Sequence, residues 1–159
     1  MKVLLTGCSG FLGQELGSLF SEDEKYEILL TNRKSLDVSN SEEVDRFFAN
    51  NNIDVVVHTA VKGGKRLDKD SSETHNQNLS MYQNLKKNSD KFGLMIHFGS
   101  GAEFDRSFGV QVAKEEQIYD FLPEDYYGSA KNLIARSISD LDKNIYNLRL
   151  FGCFGEKET

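Results

Sequence analysis

Apolar residues along this chain follow two patterns that take turns. Val3-Leu4-Leu5, Glu27-Ile28-Leu29-Leu30-Thr31, Asp54-Val55-Val56-Val57, Leu94-Met95-Ile96-His97-Phe98 and Ile145-Tyr146-Asn147-Leu148-Arg149-Leu150 are short apolar runs of the length of buried strands. Between them the period lengthens. Leu12, Leu16, Leu19 and Phe20 share one helical face, as do Val44, Phe47 and Phe48, then Leu79, Tyr82 and Leu85, then Ala130, Leu133, Ile134, Ile138 and Leu141. Ser39 with Glu42 three residues on reads as a capping box opening the second helix. Parallel neighbours need crossovers, and right-handed crossovers can cover both sides of a sheet. The alternation therefore predicts an α/β fold, a doubly wound parallel sheet with helices on both faces. Two polar connections, 61–74 and 104–125, follow the C-terminal ends of strands, the edge where such sheets bind ligands.

At 159 residues the chain has the size of one domain that closes its own core. A formal charge of -6 offers no basic field for nucleic acid or an anionic membrane. Cys8 and Cys153 are too few and too far apart for a disulfide framework or a zinc site, and no apolar run reaches bilayer length. A cytoplasmic protein is expected, with no signal-peptide pattern ahead of the strand that starts at Val3.

Candidate chemistry begins at Gly7-Cys8-Ser9-Gly10-Phe11-Leu12-Gly13, between the first strand and the first helix. A pyrophosphate needs backbone N–H groups aimed at it and a helix N-terminus behind them, and glycines permit the tight turn and close approach. Gly7, Gly10 and Gly13 meet that need, with Ser9, Phe11 and Leu12 in the same turn. At the end of the second strand an NAD enzyme normally carries an acid for the ribose. Here Thr31-Asn32-Arg33-Lys34 comes first and no acid follows until Asp37, so Arg33 favours the 2'-phosphate of NADP, with NAD as second choice. Asp37 and Val38 suit the adenine.

Hydride transfer at a carbon bearing oxygen needs a group that moves a proton on that oxygen. A tyrosine does this near neutral pH when a cation stabilises its phenolate, and residues four apart lie on one helical face. Tyr127 and Lys131 have that spacing, whereas Tyr126 pairs with Ala130. Ser100, just past the fourth strand, is placed to hydrogen-bond a substrate oxygen. His58, His75 and His97 receive no role, His58 and His97 reading as packed neutral imidazoles.

With these residues in view, the chain resembles the extended short-chain dehydrogenase/reductases of the nucleotide-sugar epimerase/dehydratase family. The likeness rests on the glycine turn, Val57-His58-Thr59-Ala60, Asn78, Phe98-Gly99-Ser100, Tyr127 with Lys131, and Leu148-Arg149-Leu150-Phe151-Gly152-Cys153-Phe154-Gly155. In look it is nearest to the GDP-fucose synthase branch, echoed by Asn32 to Asp37 and by Ala60-Val61-Lys62-Gly63-Gly64. The resemblance implies an NAD(P)-binding Rossmann domain over 1–159 with strand order 3-2-1-4-5, and cofactor contacts from Ala60, Lys62 and Asn78, the first two near the nicotinamide half. It implies a nucleotide-sugar substrate and a homodimer through the helices near 78–91 and 127–141. Dehydratases of the family carry an acid pair directly after the position of Ser100. Gly101 and Ala102 stand there, with Glu103 one residue out of register, so dehydration is not expected. The cysteine acid/base of GDP-fucose synthases is Ala102 here. What remains is 4-keto reduction, or 4-epimerisation with transient oxidation. Family members continue into a domain that grips the sugar, so the substrate half is expected to be missing from this chain. The competing readings are a truncated, non-catalytic NAD(P)-binding domain and a partner-binding domain without cofactor.

Overall fold

The structure is a computed structural model that describes residues 1–64, 69–104, 114–141 and 144–155. Of the two long connections anticipated from sequence, 65–68 and 105–113 lie outside the described residues. Strands β1 (Lys2–Thr6), β2 (Glu27–Thr31), β3 (Val55–His58), β4 (Leu94–Ser100) and β5 (Ile145–Leu150) alternate with helices α1 (Phe11–Ser21), α2 (Ser41–Asn50), α3 (Ser72–Lys87) and α4 (Tyr126–Ser139). All pairings are parallel, as the apolar runs require.

The strand order is β2-β1-β3-β4-β5, which corrects the expected 3-2-1-4-5. β3 pairs with β1 from Val3 opposite Val55 to Thr6 opposite His58. Crossover handedness assigns the helices to faces. From β1 the chain moves outward to β2 over α1, then returns across β1 to β3 over α2, and a right-handed return puts α2 on the opposite face. The next two crossovers keep that direction, so α3 and α4 join α2. The apolar clusters confirm this division. Leu4, Val56, Met95 and Ile145 face a core with Val44 and Phe48 of α2, Met81, Tyr82 and Leu85 of α3, and Ile134 and Ile138 of α4. Val3, Leu5 and Val57 face Leu16 and Phe20 of α1. The apolar stripes on α3 and α4, the helices through which the resemblance implies a dimer, are thus largely spent on the chain's own core.

The direction reversal falls between β1 and β3, whose outgoing connections lead to helices on opposite faces, the place where open α/β sheets bind ligands. Capping differs from the sequence reading. Asn40, not Ser39, caps α2, its Oδ1 accepting from the amides of Glu42 at 3.0 Å and Glu43 at 3.2 Å. Ser39 instead donates its hydroxyl to Asp37 Oδ1 at 2.6 Å. Among the described residues no helix is long and apolar enough to cross a membrane.

Candidate active site

The glycine turn is built for close approach. Gly7 has φ +75°, and a Cβ there would lie 2.6 Å from the Cα of Ala60 on the neighbouring strand's exit loop. A Cβ on Gly13 would sit 2.8 Å from the Cα of Cys8, so the turn and α1 pack backbone to backbone. The turn is closed by Gly10 N–H to Gly7 O at 3.0 Å, and α1 carries no acid in its first turn. An anion therefore meets a helix N-terminus with no opposing charge. Phe11 and Leu12 are half-buried in the first turn of α1, and Gly155 passes over the Phe11 ring.

A cleft of about 340 Å³ opens at this point, lined on one side by Thr6, Gly7, Ser9 and Gly10 and on the other by Thr59, Ala60, Val61 and Lys62. Asn32, Arg33, Leu36, Asp37, Val38 and Ser39 close its outer end. Arg33 lies 69% exposed with Nε 3.3 Å from Asp37 Oδ2, a surface pair worth little and easily exchanged for a ligand oxygen. Partial burial works against the charge on Asp37, but hydrogen bonds from Ser39 and the nearby Arg33 hold its carboxyl below the usual carboxylate range. Gln77 and Met81 of α3 also reach the cleft, contacts that the sequence reading missed.

Asn78 takes a position behind this wall. Its side chain is buried, accepts from Lys62 N–H at 3.0 Å and donates to Lys62 O at 2.8 Å, so it clamps the loop after β3. Lys62 itself pairs with Glu73 at 2.5 Å.

The second half of the site lies past β4. Ser100 ends the strand and its Oγ accepts from Ala102 N–H at 3.1 Å, opening a short 3-10 turn over Gly101–Glu103. A hydroxyl that accepts here still has its own hydrogen to donate. Helix α4 starts at the Asp125 cap, which accepts from Gly128 N–H at 2.7 Å. A Cβ on Gly128 would lie 2.7 Å from Ala102 O, so only glycine lets α4 press onto the Ser100 turn. One helical turn later Asn132, fully buried, donates to Glu103 O at 2.7 Å and Ile118 O at 2.8 Å. Gly128 and Asn132 thus dock one edge of α4, and Tyr127 and Lys131 ride on the adjacent edge. Neither docking residue was singled out in the sequence, although Gly128 stands inside the Tyr-Lys motif itself.

Lys131 is buried, with Nζ donating to Phe98 O at 2.7 Å, 3.5 Å from His97 Nε2, and 5.9 Å from the centre of the Tyr127 ring. Burial lowers its pKa to about 8, partly offset by the charge of Glu103. It therefore remains mostly an ammonium at neutral pH. The Tyr127 ring also rests against the backbone of Gly64, where a Cβ would come within 2.6 Å. The loop after β3 and the start of α4 hence meet at the tyrosine.

His58 and His97 are packed, tilted rings 5.3 Å apart, as read from sequence. His58 bonds Thr6 Oγ1 at 2.7 Å, and burial, aided by Lys131, lowers its pKa to about 3. His97 is likewise held well below the usual imidazole value, first by burial and then by Lys131. Both are neutral at pH 7. Among the described residues no group of His, Cys, Asp and Glu could hold a metal ion.

A glycine cradle at the switch point, with a buried lysine beside a tyrosine at the end of β4, defines a dinucleotide-dependent class of α/β proteins. The chain belongs to the NAD dependent epimerase/dehydratase family, which it matches over residues 3–159. Among known proteins it is 26% identical to a dTDP-4-dehydrorhamnose reductase of Aggregatibacter actinomycetemcomitans, over 98% of this chain and 52% of that one. In fold it is similar to a GDP-mannoheptose C4 reductase from Campylobacter jejuni solved with NADP bound, at TM-score 0.87 and 23% identity, over 99% of this chain and 53% of that one. It is also similar to a GDP-L-fucose synthetase from Naegleria fowleri bound to NADP, at TM-score 0.72 and 18% identity, over 93% and 52% of the two chains. The chain spans about half the length of the relatives it matches.

Proposed function

We propose that this chain carries the cofactor-binding and proton-transferring residues of an NADP-dependent nucleotide-sugar oxidoreductase that reduces a 4-keto sugar. The observation that carries this reading is the placement of Lys131, a buried ammonium held between Phe98 O and His97 beside the Tyr127 ring. A buried cation costs stability, and groups so perturbed cluster at functional sites.

The residues fit the dinucleotide. Gly7, Ser9, Gly10 and Gly13 would hold the pyrophosphate, Arg33 the 2'-phosphate, and Asp37 with Val38 the adenine. Ala60 and Lys62 would lie toward the nicotinamide, which when bound supplies the hydride. Ser100 donates its hydroxyl hydrogen to the ketone oxygen. Tyr127 gives its phenolic proton to that oxygen as charge develops, and Lys131 stabilises the phenolate that remains. Reprotonation of Tyr127 then readies the site.

Elimination of water is disfavoured by Glu103, which is wholly buried and bonded to Ser100 N–H, Asn147 and Arg149, and so is not available to a substrate proton. Relatives support reduction: one is a GDP-mannoheptose C4 reductase and another a dTDP-4-dehydrorhamnose reductase.

The test is NADPH consumption, followed by fluorescence, with GDP- and dTDP-linked 4-keto sugars. The wild-type chain is expected to turn over one of them, and Tyr127→Phe to lose about 10²- to 10⁴-fold in kcat. Retained activity in Tyr127→Phe would contradict the assignment. The half-length match to relatives favours a second reading, a non-catalytic NADP-binding domain, which predicts tight NADPH binding with no turnover of any sugar.

A further inference from the structure

Glu103 is a fully buried acid to which the proposed hydride chemistry gives no task. Its Oε1 accepts from Ser100 N–H at 2.9 Å, Asn147 Nδ2 reaches both oxygens at 3.1 Å, and Arg149 Nε donates to Oε2 at 2.5 Å. Its own carbonyl accepts from Asn132 on α4. The residue therefore touches, directly or through one bond, the turn that bears Ser100 and the helix that bears Lys131. We propose that Glu103 is a positioning residue for the Ser100–Tyr127–Lys131 site, its carboxylate fixing the turn after β4 and balancing the buried Lys131 ammonium.

The surrounding charges give that carboxylate its weight. Lys131 faces the neutral His97 of β4 and the neutral His58 of β3, with Tyr127 on its own helix. On the far side of Glu103 stands Arg149 of β5, itself paired outward with the exposed Glu115 at 2.9 Å. Glu103 is thus a wholly buried anion that pairs with Arg149 and acts electrostatically on Lys131. Without that anion, the burial cost of the Lys131 ammonium would lose its offset, in an interior where charges interact more strongly than in water. A carboxylate is also a strong acceptor for the Ser100 amide, because a charged oxygen makes the shorter and tighter bond. Gly99 belongs to this arrangement, since a Cβ there would run into the Glu103 carboxylate and the Asn147 amide.

The alternative is a simple strut, in which the Glu103–Arg149 pair does no more than tie β5 to the turn. Two substitutions separate the ideas, because each breaks the same ion pair yet removes a charge of opposite sign. The inference rests on the proposed hydride-transfer reading, but its test does not use turnover. The Lys131 ammonium is titrated by NMR of labelled lysine in the full chain, as wild type, Glu103→Gln and Arg149→Gln. The wild-type midpoint is expected near 8. Glu103→Gln should move it down by about one pH unit, and Arg149→Gln should move it up. Ser100 amide exchange should stay slow in Glu103→Gln, where an acceptor oxygen remains, and quicken in Glu103→Ala. Should Glu103→Gln fail to fold, Arg149→Gln still decides through the direction of its shift. Equal shifts in both variants, or none, would overturn the proposal and leave the strut. NADPH titration of the same variants reports separately on the cofactor reading.

Discussion

At the scale of the residue, Lys131 shows what the site costs. Its folded pKa of about 8 lies below the unfolded value of 10.5, so the unfolded chain binds the extra proton between those limits. Stability contributed by this group therefore rises as pH climbs from 8 to 10.5, and the full penalty, on the order of 3 kcal/mol, is present below 8. Lys131→Met should lose hydride transfer yet unfold in urea at neutral pH no more easily than wild type, and it should lack the alkaline gain. A variant clearly weaker at pH 7 would mean that the bond to Phe98 O outweighs desolvation. The histidines act in the same direction, in a more acid window. His58, with a folded pKa of about 3 against 6.5, stays neutral while the unfolded chain gains a proton, so stability falls as pH drops below about 6.5 toward 3. The loss is about 1.4 kcal/mol per pH unit for such a residue, and His97 shifts the same way. Urea midpoints at descending pH should show it, and His58→Gln should flatten the slope.

At the scale of the element, glycines decide how strands and helices approach. Gly13→Ala would ordinarily favour a helix by about 1 kcal/mol, but here the added methyl meets the backbone of Cys8. We expect a net loss of stability and at least a tenfold loss of NADPH affinity, roughly the weight of one charge-assisted hydrogen bond at the pyrophosphate. Fluorescence titration together with urea unfolding reads both. Gly7, Gly10 and Gly13 were legible in the sequence because spacing and position after a strand sufficed. The strands and α-helices of the described residues were legible for a similar reason, since the two apolar periods differ so plainly. The strand order was not, because both orders satisfy the same alternation. Whether β3 joins the outer flank of β2 or that of β1 depends on which face α2 takes, and that is settled by the packing of Val44 and Phe48. The helix cap failed for a more local reason. Ser39 is absorbed by Asp37, and Asn40 is one residue nearer the first free amides. Asn132 escaped notice, and Glu103 was read only as out of register with the dehydratase acids, because a polar residue in a sequence says nothing about burial until the partners gathered from distant strands are known.

At the scale of the whole molecule, the two faces of the sheet are unequally covered. α2, α3 and α4 bury one face, whereas on the other Leu30 is 47%, Tyr146 60% and Leu148 47% exposed. Neighbouring residues of β5 should therefore respond very differently to truncation. Ile145→Ala, on the covered face, should cost about 2–5 kcal/mol, and Leu148→Ala less than about 1.5 kcal/mol, as read by urea unfolding of this chain. The C-terminal edge of the sheet gathers the cradle after β1, Arg33 after β2, the Ala60–Lys62 loop after β3 and Ser100 at the end of β4, with Tyr127 and Lys131 supplied by α4. The central claim is that this edge binds NADP, with Arg33 reading the 2'-phosphate. Its most direct measurement is fluorescence titration of the chain with NADPH and NADH, as wild type and as Arg33→Ala. The account predicts NADPH tighter by about tenfold or more in wild type, with the difference nearly abolished in Arg33→Ala. Equal or tighter binding of NADH by the wild-type chain, or a preference that survives loss of Arg33, would contradict it.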